Sequence, residues 1–545
     1  MTTTKRLLST FESLIRSKKR DANEIVGCLN QLLRSNNFDG NHLIELFENL
    51  LFLIAYPCNQ KVLNLALKSF LTLEKRKQNQ ILKSKASYHS RGIPSSQIEA
   101  RFTFEIVNWF FFHYPKNIHS LGSEARDSDW RETLMLLLPA IISEEFENSF
   151  NSYKDWLQNM APKDELQFLI HLIGRSNLPP KLKEHFFYKL NLFVSITLPE
   201  SNHWLLPKKN YAQTKPFFHH QIEKFNPQDL GLLDIPLDEI NLNYSDKQEL
   251  ENRARITLLS FQRETDPITF SQTDELRYFN LGRGFTLALF QLRRDLQLGI
   301  DVYIGYMAFK NNIPAAYGGA WLFDERAKLG INIFPFMRGG ESNYLFARLI
   351  STYQAIGNLA EFTVEPYQIG KDNEDGIKSG AFWFYYKFGF RPQELSLKKI
   401  ADAEFEKISK IPNYKTSQKT LKILAESNLI LSLKKTKNKQ YDSGLINKKI
   451  SSLVTKHFNG SASKAEEYIL KKLKFTLPSN ELSGQLLLLL PLLMQNKLSK
   501  AARVKACIFI SILSEGKDLS YHYYFQNFDE LKNAMTIGSY QRLVK

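Results

Sequence analysis

The chain is poor in cysteine. Its 545 residues carry three, Cys28, Cys58 and Cys507, far apart and with no CxxC pair. That argues against a disulfide framework and a cysteine zinc site, and it fits a reducing compartment, the cytoplasm. Long apolar runs are also lacking. The two longest, Leu486–Met494 and Cys507–Leu513, contain Pro491 and Ser511. Both fall short of the roughly 20 residues that a bilayer span requires, so they are expected as buried helices and no membrane span is expected. The opening MTTTKRLLSTF has neither the apolar core nor the cleavage pattern of a signal peptide. No HExxH, no Walker loop and no strong fixed-length repeat occurs. The pair His219–His220 has no further ligand at helical metal spacing, so no metal is expected. Gly282 and Gly284 alone are too little for a dinucleotide fingerprint.

What is present is ordinary globular material. Hydrophobic residues make up 43% and charged residues 23%, with 40 Phe and 23 Tyr to fill cores. The length implies about two to four domains. The formal net charge is +16, much of it in lysine clusters such as Lys75–Arg76–Lys77, Lys434–Lys435 with Lys437 and Lys439, and Lys448–Lys449. A solvated surface explains this most simply. An anionic partner (nucleic acid, acidic lipid or a phosphorylated cofactor) is the other reading, although no nucleic-acid motif accompanies the clusters.

Residues 1–240 read as helices. Glu24–Arg34, His42–Ala55 and Val62–Glu74 place apolar residues three and four apart, and the aromatic run Glu105–Tyr114 is core material. Prolines at 94, 115, 139, 162, 179, 180 and 199 punctuate the stretch. From Asn202 to Asp246, with Pro207, Pro216, Pro227 and Pro236, periodicity fades into a linker or wrapping segment. Arg255 opens a segment that alternates like a strand, and Asp274–Leu298 reads as helical. Three short strands follow, Val302–Phe309, Ile313–Phe323 and Lys328–Phe334, joined by tight turns. Then come a glycine loop at Arg338–Ser342, a helix at Tyr344–Ile356, a strand at Glu361–Glu365, a polar loop at Gly370–Gly376 and a helix ending at Lys387–Phe390. Residues 401–545 return to Lys- and Leu-rich helices, with polar loops at Asn413–Ser417 and Thr436–Ser443. The expectation is an α+β protein in three parts: an all-α region over 1–240, a mixed-sheet domain over 241–400 and an all-α region over 401–545.

The order strand, glycine loop, helix has a chemical use. Backbone N–H groups at a helix N-terminus, with the helix dipole, bind phosphate. Arg338 can add a charge-assisted hydrogen bond. The loop Arg338–Gly339–Gly340–Glu341–Ser342 is therefore a candidate diphosphate cradle, with Glu341 the member whose charge opposes it.

The segment 241–400 resembles the GNAT acyltransferase superfamily. In that family a meander leads to a phosphate loop and helix, and the acyl-CoA thioester lies where the next strand splays away. The closing helix carries Asn, then Ala three residues on, Tyr four further and Gly-Phe another four on. Ala381, Tyr385, Gly389 and Phe390 keep that spacing, whereas Lys378 stands at the Asn position. The family loop has glycines three and five residues after its first Arg or Gln. Here Glu341 and Asn343 take those places, with glycines at 339 and 340.

The resemblance implies acetyl-CoA or another acyl-CoA as co-substrate, held by Ile333, Phe334 and Arg338–Ser342, and an amine acceptor, small molecule or protein. Tyr385 would protonate the departing thiolate, or else simply pack among its aromatic neighbours. Glu365 is the first candidate base and Glu341 the second. N–H groups of the strand before the loop would polarise the thioester carbonyl. The polar cluster Arg263, Glu264 and Asp266, expected where the first strand ends, would line the acceptor site, with Glu264 and Asp266 holding a cationic acceptor, or else form an N-cap or turn before a helix. Two other readings stay open: a GNAT-shaped scaffold without cofactor, whose helical flanks bind a protein partner, and a transferase drawing on aminoacyl-tRNA.

Overall fold

The computed structural model describes residues 3–34, 38, 40–83, 91–148, 152–160, 164–206, 209–227, 236–434, 443–476, 484–495 and 498–535. Pro162, Pro207, the lysines at 435, 437 and 439 and nearly all of the expected loop at 436–443 lie outside them. The architecture is mixed α+β, a nine-stranded sheet between helical regions.

The N-terminal region opens with four helices, Thr3–Arg16, Ala22–Arg34, Gly40–Ala55 and Gln60–Lys83. Their apolar stripes meet in a core that includes Leu8, Phe11, Phe47 and Phe70, all at most 1% exposed. Phe47 and Phe70 meet edge to face at 5.0 Å. The helix Phe104–His113 begins where the Thr103 side chain accepts the N–H of Ile106, a regular N-cap. This region is not helical throughout, as the sequence suggested. Strands β1 (Gln97–Ala100), β2 (Ile118–Ser123) and β3 (Leu192–Thr197) form a small antiparallel sheet with β3 central. Ile98 and Ile118 both pair with Ile196, so the three side chains share one register line. Such short strands lie far apart in sequence, and no local turn chemistry announces their pairing.

The central sheet takes β4 (Asp238–Ile240), β5 (Arg277–Gly282), β6 (Phe285–Gln291), β7 (Val302–Lys310), β8 (Ile313–Phe323), β9 (Arg326–Ile333), β10 (Glu361–Val364), β11 (Arg391–Pro392) and β12 (Leu429–Ser432). Their order across the sheet is β11-β12-β10-β9-β8-β7-β6-β5-β4. Every neighbouring pair is antiparallel except β9 and β10. The β7–β8–β9 meander and the helix Ser342–Gly357 fall where the sequence placed them.

Two expectations fail here. The segment from Arg255, expected as a strand, belongs to the helix Tyr244–Ser260, capped by Asn243. From Arg253 to Ser260 every residue is buried, so the helix has no polar face to reveal its period. The segment 274–298, expected as helical, is mainly the β5–β6 hairpin. Gly282, Arg283 and Gly284 all have positive φ. This suits the two-residue hairpin turn that pairs Gly282 with Phe285.

Strand β12 lies beyond residue 400, so the central sheet draws on the expected C-terminal region. That region is otherwise helical, with Ser443–Phe458, Ala462–Leu473, Lys500–Glu515 and Asp518–Gln526 as its longer helices. It is tied to the sheet domain by Tyr521, whose hydroxyl donates to Ile300 O at 3.0 Å, and by His522 against Gly357 O at 3.0 Å. Among the described residues, no helix is long and apolar enough to cross a membrane.

Candidate active site

The parallel pair β9–β10, the one such pair among the described residues, creates an opening. β10 pairs with β9 over three positions only, Glu361–Arg326, Phe362–Ala327 and Thr363–Lys328. β9 then runs on to Ile333, paired with β8 alone. On its other edge the partner has already turned away, because Pro366 starts a short helix after Glu365. Phe334 N–H donates to Ala315 O at 3.1 Å. By the alternation of an antiparallel ladder, Ile331 and Ile333 therefore turn their N–H groups to the unpaired edge. This is the wedge in which a carbonyl could meet strand amides.

Tyr385 lies at this edge. Its helix, Ala381–Lys387, places the phenol facing the backbone N–H of Ile331. The side chain is 2% exposed. Burial holds the phenol above its ordinary pKa, and the Ile331 N–H opposes that shift. Such a group keeps its proton until a stronger base forms beside it. Phe346, Phe384 and Phe390 pack around the ring at 5.4 to 5.7 Å, so the packing role and the chemical one coexist.

Glu365 is more exposed. Its carboxylate meets Lys328 Nζ at 3.1 Å, with both side chains more than half exposed. An ion pair of that kind contributes little stability. Between these groups Gln368 covers Gly330, where an added Cβ would stand 2.9 Å from its side chain. A side chain at position 330 would push the end of the Gln368 side chain aside.

The glycine loop differs from the expected open cradle. Gly340 N–H donates to Met337 O, Arg338 N–H to Pro335 O and Glu341 N–H to the Tyr56 hydroxyl at 3.2 Å. Arg16 Nη1 donates to Arg338 O at 3.0 Å. A Cβ on Gly340 would be 2.4 Å from the Tyr56 oxygen. The helices Thr3–Arg16 and Gly40–Ala55 thus deliver Arg16 and Tyr56 as a lid over the loop, and three of its amides already have protein partners.

Glu341 points away from those amides into a buried ion cluster. It meets Lys310 Nζ at 3.0 Å and Arg283 Nη2 at 2.5 Å, and His219 Nδ1 lies 3.6 Å away. The Glu341 and Lys310 side chains are both fully buried. Burial lowers the Lys310 pKa, against the pull of Glu341. Burial and the cations Lys310, Arg283 and Arg20 push His219 far below its usual value, so its ring is neutral. Glu341 is occupied as a structural counter-ion, which does not suit the role of a base.

Glu264 and Asp266 follow the helix Tyr244–Ser260 rather than a strand and line a cleft of about 990 Å³ with Glu184 and Thr103. Glu264 accepts Thr103 N–H at 3.0 Å and the Thr103 hydroxyl at 2.6 Å. Glu184 accepts the N–H groups of Phe104 and Glu105, each at 2.8 Å, at the positive end of a helix. Burial raises both carboxyls, Glu184 to about 7, with the Glu105 and Glu264 charges adding to the Glu184 shift. Arg263 stands apart, exposed and beside Tyr317.

The structure therefore brings Tyr385 to the free edge of β9, two residues from Ile333. It places Glu365 near that edge through Lys328, and it gathers Glu264 and Asp266 in a separate acidic cleft. Phe334 is core, stacked 5.7 Å from Phe336. Tyr56, Arg16, Lys310, Arg283 and Glu184 were not legible as site residues. The available signals were a lysine closing an apolar strand and a Gly-Arg-Gly turn. Among the described residues, no group of three or more His, Cys, Asp or Glu is placed to hold a metal ion.

Comparison with family models, with curated proteins and with solved structures finds no match to this chain.

Proposed function

We propose that this chain is a GNAT-type acyltransferase that moves an acyl group from an acyl-CoA thioester to an amine. The observation that carries the reading is the opening between β9 and β10, with the Tyr385 hydroxyl beside the Ile331 amide. The strand amide at 333 would stabilise the oxyanion as the amine attacks the thioester carbonyl, while the 331 amide holds the Tyr385 oxygen in place. The bond to sulfur then breaks, and Tyr385 would give its proton to the leaving thiolate. Glu365 or a water would take the proton from the amine.

Titration of the full chain with acetyl-CoA, together with acetyl transfer measured on a panel of amines, tests this reading. Turnover that falls at least about tenfold in Tyr385→Phe supports it. Unchanged turnover removes the acid, and absence of binding at millimolar acetyl-CoA removes the donor.

One observation favours a second reading. Tyr56 and Arg16 cover the loop that would hold the donor's diphosphate, as suits a GNAT-shaped scaffold that binds a protein. A stable protein partner in a preparation that neither contains nor binds CoA supports that reading.

A further inference from the structure

Beside the covered loop is a recess of about 520 Å³. It forms where the end of the first helix, the wrapping segment and the tip of the β5–β6 hairpin meet. Arg20 and Arg283 line it with His219, and Lys18, Lys19 and His220 complete the basic set. Glu223 is the one carboxylate among the lining residues, against four cations. Behind the recess, Lys310 and Glu341 offset one another.

The hydrogen-bond accounting here is incomplete in one direction. Arg20 Nη1 donates to Tyr56 O at 2.6 Å and to His219 O at 3.2 Å. Its Nε and Nη2 are buried with no partner among the described residues. Arg283 Nη2 meets Glu341 at 2.5 Å and Glu223 at 3.1 Å, while its Nε is also buried and unpartnered. Both ring nitrogens of His219, a residue 2% exposed, lack a hydrogen-bond partner among the described residues. Buried donors left unpaired are costly in a closed protein, and the side chains that carry these ones line a recess with an excess of positive charge.

Arg283 sits at the hairpin tip with φ +52°, as the two-residue turn requires. The turn holds its guanidinium within 4.8 to 5.8 Å of the rings of Phe217, Phe225 and Tyr344.

We infer that this recess is a binding site for a small phosphorylated ligand, its phosphate oxygens on Arg20 and Arg283 and its remaining charge met by Lys18 and Lys19. Phosphate offers several acceptors to planar guanidinium forks, which pair with it in two parallel hydrogen bonds. A recess of about 520 Å³ suits a small ligand over the exposed backbone of a nucleic-acid duplex. The site is separate from the wedge at Tyr385 and does not depend on acyl transfer.

Calorimetric titration of the full chain with inorganic pyrophosphate, ADP and 3′,5′-ADP tests the inference. Binding of at least one is expected, weakened about tenfold by Arg20→Gln and by the surface pair Lys18→Gln/Lys19→Gln, and unchanged by Tyr385→Phe. The lysine pair is exposed, so it reports on the site even where Arg20→Gln disturbs packing. Pyrophosphate binding by itself assigns the site to free phosphates, and preference for 3′,5′-ADP assigns it to the nucleotide end of a CoA-like molecule. No binding at millimolar ligand overturns the inference, as does binding that ignores both variants. Binding of only an RNA oligomer, steeply lost with salt, also overturns it.

Discussion

The hydroxyl of Tyr56 accepts the backbone N–H of Glu341 at 3.2 Å, across 285 residues of sequence. The N-terminal helices thereby control a loop in the central domain that, uncovered, would present its amides to an anion. Tyr56→Phe keeps the ring over Gly340 and removes only the oxygen. The buried Glu341 amide then loses its partner, and stability should fall by about 1–3 kcal/mol, read as a lower urea midpoint at unchanged slope. A midpoint equal to wild type would show that the contact does not hold the lid.

Lys310 and Glu341 are a fully buried pair. Lys310→Met leaves the Glu341 carboxylate with Arg283 as its remaining close cation, and the loss should be on the order of 3 kcal/mol. The double change Lys310→Met/Glu341→Leu should cost less than the sum of the two single changes. Strict additivity in a double-mutant cycle would contradict the pairing.

His522 is 2% exposed, and burial lowers its pKa from 6.5 to about 4, against a hydrogen bond to Gly357 O. Between pH 6.5 and 4 the unfolded chain binds the proton and the folded chain does not, so this contribution to stability is lost as pH falls through that window. Its full size is about 3 kcal/mol. In His522→Gln the amide can still donate to Gly357, and that share of the acid sensitivity should vanish. Denaturant titrations from pH 7 to pH 4 that decline in parallel for the two proteins would refute it.

Burial, with the charges of Glu105 and Glu264, disfavours the ionised form of Glu184 and pushes its pKa up to about 7. The cleft gains negative charge as pH rises through that value. A polyamine such as spermidine should therefore bind more tightly at pH 8 than at pH 6, and the difference should shrink in Glu184→Gln. Calorimetry showing equal affinity at both values in the wild type would show that the carboxyl does not face the cleft.

The meander, the glycine loop and the helix after it were legible because each has a local signature: apolar strands broken by Asn-Asn and Asp-Glu turns, and glycines before a helical period. The spacing to Gly389 and Phe390 singled out Tyr385, and the structure places its ring at the free edge of β9. The β5–β6 hairpin was misread because FTLALFQ is buried on both faces, and continuous apolar sequence fits helix and strand alike. The helix Tyr244–Ser260 was misread for the same reason.

The sequence by itself determined that the chain builds well-filled cores without disulfides, that helical regions flank a central strand-rich segment, and where its clearest meander lies. These follow from side-chain volume, period and turn chemistry, which act over a few residues. Only the tertiary structure decided that β9 and β10 part after three pairs, that Tyr56 and Arg16 cover the loop, and that Glu341 is a counter-ion for Lys310 and Arg283. Those outcomes depend on which distant surfaces meet in three dimensions and on burial forcing charges to pair, and no local pattern of residues carries that information.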